Sequence, residues 1–325
     1  MLELTVVGSF SRVGSAVRRR VFDWDQPRLG VLTGKTALVT GPTSGLGRQV
    51  TGDLAGLGAR VVLVGRSRER LTTVRDELIA RHGRDRFPVV VADMGSLASV
   101  EAATREILAT ESRLDVLIDN AGAIFPERTI GPDGIESTFA TLVVGPFALV
   151  GGVLPLLRST GGARVIAVTS GGQYAQPLDV DDLEFRRGVY NGTRAYARAK
   201  RAQVTLIREW ARRLGHTGIR FDSMHPGWAA TPGLNEALPV FAKMMGPLLR
   251  TPAEGTDTLV WLASTPAIGG PAGSLWLDRR PRPFDRAPMT RLTRDERRRL
   301  WERTVELSGR PDPAGDVLVH QSYPV

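Results

Sequence analysis

The sequence predicts one α/β domain, a seven-stranded parallel sheet with helices wound on both faces. Three observations predict it. Short, near-continuous apolar runs alternate with helical stretches along most of the 325 residues. The 42% apolar content suffices for one large core. Polar or glycine-rich turns begin where the apolar runs stop, as expected when a ligand lies outside the carboxyl ends of parallel strands.

The elements follow in order. Residues 35–40 read as the first strand and 45–58 as a helix after a glycine turn. Strands two to five fall at 59–64, 87–92, 114–118 and 163–169, each a β-branched or aliphatic run. Helices are expected at 67–82, with Leu71, Val74, Leu78 and Ile79 on one stripe, and at 96–110, 135–157 and 193–214. Residues 219–224 form strand six, 253–263 a helix and 274–277 a short strand seven. Two stretches interrupt the rhythm, a loop at 171–192 and an apolar helical excursion at 232–251. Thr293 and Glu296 have capping-box spacing before a last helix at 294–307. Right-handed crossovers make this a Rossmann-like, doubly wound fold. Residues 34–280 are expected to form that domain, with extensions at 1–33 and 281–325.

Composition narrows the function. Net charge is +9 and the pI about 10.7. The basic residues are nearly all Arg, interleaved with acids, and no nucleic-acid recognition module is legible, so no nucleic-acid partner is expected. With no Cys and four dispersed His, thiolate chemistry is excluded and no metal site is expected; His225 reads as structural. No stretch reads as a membrane-spanning helix, and a cytoplasmic protein is expected. Residues 1–20, ending in three Arg, read as an extension packing on the domain rather than as a membrane-surface helix.

The first strand runs into Gly41, Thr43, Ser44, Gly45, Leu46 and Gly47, a Gly-x-x-x-Gly-x-Gly turn opening a helix. Such a turn lets backbone N–H groups and the helix dipole face a pyrophosphate. The second strand ends at Arg66, with Arg68 nearby, where an NAD site carries an acid. A guanidinium suits a 2′-phosphate, so NADP(H) is the expected cofactor. Asp93, after strand three, can meet the adenine; Asn120, Ala121 and Gly122, after strand four, let a cofactor lie close.

Tyr196 and Lys200 stand four residues apart on a helix face, in a chain with 4 Tyr and three Lys. A phenol must come from near 10 toward ~7 to work at neutral pH, roughly 4 kcal/mol of preference for the phenolate. A nearby ammonium and an oxidised nicotinamide can supply it. Ser170, ending strand five, can donate to a substrate oxygen beside Tyr196. Pro226 and Gly227 form a turn that can pass under a nicotinamide ring, and Thr231 can hold its carboxamide or a phosphate.

In this order, these motifs resemble the short-chain dehydrogenase/reductase family over about residues 30–280, within a subgroup near its retinol-dehydrogenase-like branch. The resemblance implies Tyr196 as general acid/base, Lys200 on the nicotinamide ribose, Ser170 orienting substrate, and a homodimer or tetramer. One departure stands out: Leu142 occupies the place of the Asn that usually links Lys to bulk water, with Thr138 one turn earlier as a substitute.

The excursion at 232–251 carries Leu234, Leu238, Phe241, Met244, Met245, Leu248 and Leu249, an apolar lid suited to an apolar carbonyl or alcohol. The alternative has it packing on the core or a second subunit. Tyr174 and Trp228 are further candidate pocket residues. An NADP(H)-dependent oxidoreductase is the favoured reading; a regulatory or scaffold protein that binds NADP(H) without turnover is the alternative, on the strength of Leu142.

Overall fold

The computed structural model describes residues 6–237 and 239–315; Leu238 and the expectations at 1–5 and 316–325 lie outside them. Two helices come first, α1 (Val6–Phe10) and α2 (Arg12–Val21). The main sheet then alternates β1 (Thr36–Thr40), α3 (Gly45–Gly56), β2 (Arg60–Gly65), α4 (Arg68–His82), β3 (Val89–Val91), α5 (Leu97–Thr110) and β4 (Val116–Asp119). After β4 come α6 (Ser137–Phe139), a wide π turn over Ala140–Val144, and α7 (Gly145–Thr160). The second half runs β5 (Arg164–Val168), α8 (Gly192–Leu214), β6 (Arg220–Met224), α9 (Pro232–Ala237) and α10 (Pro239–Met245). It finishes with α11 (Pro252–Ser264), β7 (Leu275–Leu277), β8 (Arg280–Arg282) and α12 (Arg294–Ser308).

The strand order is β3-β2-β1-β4-β5-β6-β7-β8. The seven strands read from the sequence are parallel, and β8 adds an antiparallel edge, Leu275 opposite Arg282. The eighth strand is a correction. Its hairpin turns at Asp278 and Arg279, both at positive φ (55° and 54°), without the Gly or Asn that marks such turns.

Successive strand residues feed two cores. Leu38, Val165 and Ala167 face the layer of α5, α7, α8 and α12; Val39, Ile166 and Val168 face that of α3, α4 and α11. The 137–160 segment corrects another expectation: by length and composition it could cross a membrane. Here it is largely buried, as the central helix of the first layer. Its π turn brings Gly145 against the chain after β3, where a Cβ would lie 2.0 Å from the Met94 carbonyl.

Both flanking segments build the body of the protein. Trp301 of α12 is fully buried, edge-on to Trp210 and Phe147, with its Nε1 donating to Asp312. The N-terminal segment is held by a buried clasp. Arg18 and Arg250 both pair with Asp278 (2.5 and 2.7 Å) and donate to the Ser9 carbonyl. Residues 9–18 therefore pack on the domain.

Candidate active site

The carboxyl ends of β1 to β6 lie along one edge, and each polar motif starts there. The glycine turn is fixed by neutral hydrogen bonds. Thr40 Oγ1 accepts from the backbone N–H groups of Asn120 and Ala121 (2.9 Å each), and Asn120 Nδ2 donates to the Thr40 carbonyl at 2.9 Å. Gly41 is at φ +67°, and a Cβ on Gly47 would lie 2.0 Å from the Gly41 carbonyl oxygen. That proximity requires glycine. Ser44 precedes α3 without a side-chain cap, whereas Ser67 and Ser96 cap α4 and α5. Among the described residues the first N–H groups of α3 thus meet no side-chain acceptor, as a pyrophosphate site needs.

Arg66 is exposed immediately after β2, and Gly41 N–H donates to the Val64 carbonyl, so Arg66 stands beside the glycine turn. Asp93 holds its own turn, its Oδ1 accepting from Gly95 N–H at 2.9 Å.

A cavity of about 490 Å³ opens over the ends of β4, β5 and β6. Leu46, Asn120, Gly122, Ser170, Tyr196 and Lys200 line it, joined from the far side by Pro226, Gly227 and Thr231. Gly41, Thr43, Ser44, Gly45, Gly47, Arg66, Asp93 and Ala121 lie outside its wall, at the ends of β1 to β4 and the start of α3. Thr231 closes toward the glycine turn: a Cβ on Gly45 would lie 3.3 Å from Thr231 Cγ2. Thr231 Oγ1 also accepts from Leu234 N–H at 3.2 Å, opening α9.

Ser170 and Tyr196 face the same cavity, Ser170 Oγ accepting from Gly172 N–H at 3.3 Å, and Lys200 Nζ lies 5.8 Å from the Tyr196 ring centre. Tyr196 carries the larger surprise. Burial pushes its phenol up to about 12, partly countered by Ser170. The protein's own groups therefore keep Tyr196 protonated. Lys200 is pulled down to about 8 by burial, with Asp119 acting against that. The Lys200 ammonium donates to the Val168 carbonyl (2.8 Å) and to Gln203 Oε1 (3.1 Å).

Leu142 is fully buried in the π turn and fills the space beside Gly122. Thr138 does not substitute for the missing Asn; its hydroxyl is paired with Tyr190 at 2.9 Å, and Tyr190 also reaches Glu136. Gln203 and Asp119 entered no sequence motif. Gln203 sits three residues after Lys200, which puts both on one helix face. Asp119 is a charged residue ending an apolar strand, and both signs were readable.

Of the lid residues, Leu234 and Phe241 line the cavity, Leu249 is buried, and Met244 is 76% exposed. Trp228 also lines the cavity, edge-on to Phe241. Tyr174 corrects an expectation: it is absent from the wall because its hydroxyl donates to the Pro283 carbonyl. Behind the wall, Phe10 packs 4.5 Å from the His225 ring, and the Phe10 carbonyl accepts from Trp228 N–H at 2.9 Å. His225 is structural. It is buried, its Nδ1 accepts from Gly227 N–H, and burial and Arg250 push it down to about 3.

A dinucleotide-type turn beside a Ser–Tyr–Lys constellation, at the ends of a parallel sheet, defines a nucleotide-binding oxidoreductase. The comparisons agree. The short chain dehydrogenase family matches residues 35–181. Human dehydrogenase/reductase SDR family member 12 is 38% identical over 251 residues, 77% of this chain and 78% of that protein. Mouse retinol dehydrogenase 14 is 35% identical over 77% of this chain and 79% of its own. A short chain dehydrogenase of Escherichia coli CFT073, solved with NADPH, shares the fold. It aligns with a TM-score of 0.60 and 24% identity, over 73% of this chain and 94% of that one. The chain belongs to the short-chain dehydrogenase/reductase family.

Proposed function

We propose that the protein is an NADP(H)-dependent reductase interconverting an apolar aldehyde or ketone and its alcohol. The observation that carries this is the meeting of Ser170, Tyr196 and Lys200 in one largely apolar cavity beside the glycine turn. The glycine turn and the uncapped α3 would hold the pyrophosphate, Arg66 a 2′-phosphate, Lys200 the ribose, and Pro226, Gly227 and Thr231 the nicotinamide end. Asp93, with its carboxylate engaged in its own turn, would reach the adenine by backbone alone.

The bound cofactor supplies or takes the hydride. Ser170 and Tyr196 hold the substrate oxygen, and Tyr196, kept protonated by burial, gives up its proton as that oxygen becomes an alcohol. The reading is thus more natural for reduction than for oxidation. The apolar substrate class is supported by Trp228, Leu234 and Phe241 in the wall and by the retinol named for one relative. Cytoplasmic placement and a homo-oligomer belong to the same proposal.

A second reading, a binder of NADP(H) without turnover, draws on Leu142 and on the absence of a polar group in its place. NADPH oxidation against a panel of apolar aldehydes and ketones, with Tyr196→Phe in parallel, separates the two. Turnover that drops by about 10²–10⁴-fold in the mutant supports the reductase. Tight NADPH binding with no turnover in either direction supports the binder.

A further inference from the structure

Lys200 is 3% exposed, and an ammonium so deeply buried needs a compensating charge. In the family pattern a polar side chain would stand at Leu142. Here that position is aliphatic, and the polar contacts of Lys200 run elsewhere. Gln203 Oε1 accepts from Lys200 Nζ at 3.1 Å, and Gln203 Nε2 donates to Asp119 Oδ2 at 2.6 Å. An ammonium can only donate and a carboxylate can only accept, so the amide between them has one workable orientation. Asp119 is 4% exposed, and its Oδ1 has no hydrogen-bond partner among the described residues. A void of about 20 Å³, room for about one water, adjoins Asp119, Gln203 and Leu142.

We propose that Asp119, acting through the Gln203 amide, is the counter-charge that positions Lys200 and keeps it an ammonium where Leu142 offers no polar contact. Asp119 and Gln203 are positioning residues. The inference deepens the proposed function, since it says how the Lys200 of that reading is held, yet its test needs neither substrate nor turnover.

The charges around Lys200 are few. Its own helix brings the Tyr196 phenol, β5 brings the Val168 carbonyl, and the π turn and the start of α7 bring the apolar Leu142, Val143 and Pro146 to the adjoining void. From β4 comes Asp119, whose charge raises the proton affinity of Lys200 against the effect of burial. Reciprocally, burial lifts Asp119 to about 6 and Lys200 pulls it back. Near pH 7 the pair is therefore charged on both sides of the amide.

The chain has three lysines, and Lys35 and Lys243 are both exposed. Isotope-labelled lysine therefore gives three NMR signals, assigned by Lys35→Arg and Lys243→Arg, whose pH midpoints can be followed in the cofactor-free protein. Asp119→Asn should lower the proton affinity of Lys200 about tenfold, and Gln203→Leu should move it the same way. Asp119→Asn with Gln203→Glu should restore it, because the carboxylate is moved next to the ammonium. A Lys200 midpoint that shifts less than about twofold in Asp119→Asn overturns the proposal. Should Asp119→Asn fail to fold, Gln203→Leu decides, since it cuts the link between Asp119 and Lys200: a lowered midpoint sustains the counter-charge and an unmoved one overturns it. Failure of the reductase reading would leave these midpoints untouched, so the two fail separately.

Discussion

The glycine turn and the Pro226-Gly227 turn approach each other at Gly45 and Thr231, and they are held by different means. The hydrogen bonds that shape the first join residues within 40–121. Its bonds are neutral, from Thr40 and Asn120, and its shape comes from glycines that pack backbone on backbone. The second is assembled from residues scattered along the chain. Gly227, at φ +76°, sits where a Cβ would lie 2.4 Å from Arg250 Nε and 2.7 Å from the Phe10 carbonyl. Behind it, Arg18 and Arg250 share Asp278, a buried cluster with an excess positive charge. The comparison teaches that the end of the site built on the glycine turn is a local motif, whereas the end built on the Pro226-Gly227 turn depends on the whole chain.

The most severe way to break the second turn is Asp278→Ala. Two buried guanidiniums would lose their carboxylate, at a cost of about 3–5 kcal/mol. Urea unfolding should show that loss; a change under about 1 kcal/mol would mean the clasp does not hold the turn. On the cofactor side, Gly47→Ala forces the turn open against the Gly41 carbonyl. NADPH affinity should fall by about 100-fold, ~2.7 kcal/mol, and the unfolding midpoint should fall with it, because the clash is with backbone. NADPH affinity that survived the substitution would remove the glycine turn from the cofactor site.

Arg66→Ala sharpens the reading of the first turn. Among the described residues Arg66 forms no ion pair, so its removal should leave the fold intact. NADPH affinity is expected to drop about tenfold while NADH affinity holds, which fluorescence titration with both cofactors would show. A parallel loss for both would assign Arg66 no part in selecting the 2′-phosphate.

The gentlest test is pH. His225, neutral and depressed to about 3 in the folded protein, takes up its proton near 6.5 once unfolded. The unfolded state then binds more protons, so stability should decline as pH falls from about 6.5 toward 3. Thermal midpoints at pH 7 and 5 should differ less in His225→Gln than in the native protein. The same difference in both would place the acid sensitivity elsewhere.

The contrast also explains what could be read in the sequence. The seven parallel strands fall within a residue or two of the apolar runs, because a strand buried on both faces writes its length directly in Val, Ile and Leu. Ser170, Tyr196 and Lys200 were visible through their spacing, and the structure brings them to one cavity. The strand at Arg280–Arg282 was hidden because Asp278 and Arg279 make its turn without glycine. Phe10, Arg18 and Arg250 were hidden for another reason. Their partners lie up to 260 positions away, and no local period records a contact across that distance. Asp119 went unnoticed beside the more familiar Asn120, although an acid at the end of an aliphatic run is itself informative.

The clasp between Arg18 and Asp278 also sets an order of events during synthesis. Residue 18 leaves the ribosome 260 residues before its partner, an interval of tens of seconds at about 5–20 residues per second. Over that time the glycine turn and its strands can fold, while the opening helices have nothing to hold. The nascent protein would thus acquire its glycine turn well before the turn at Pro226-Gly227 that faces it is held in place.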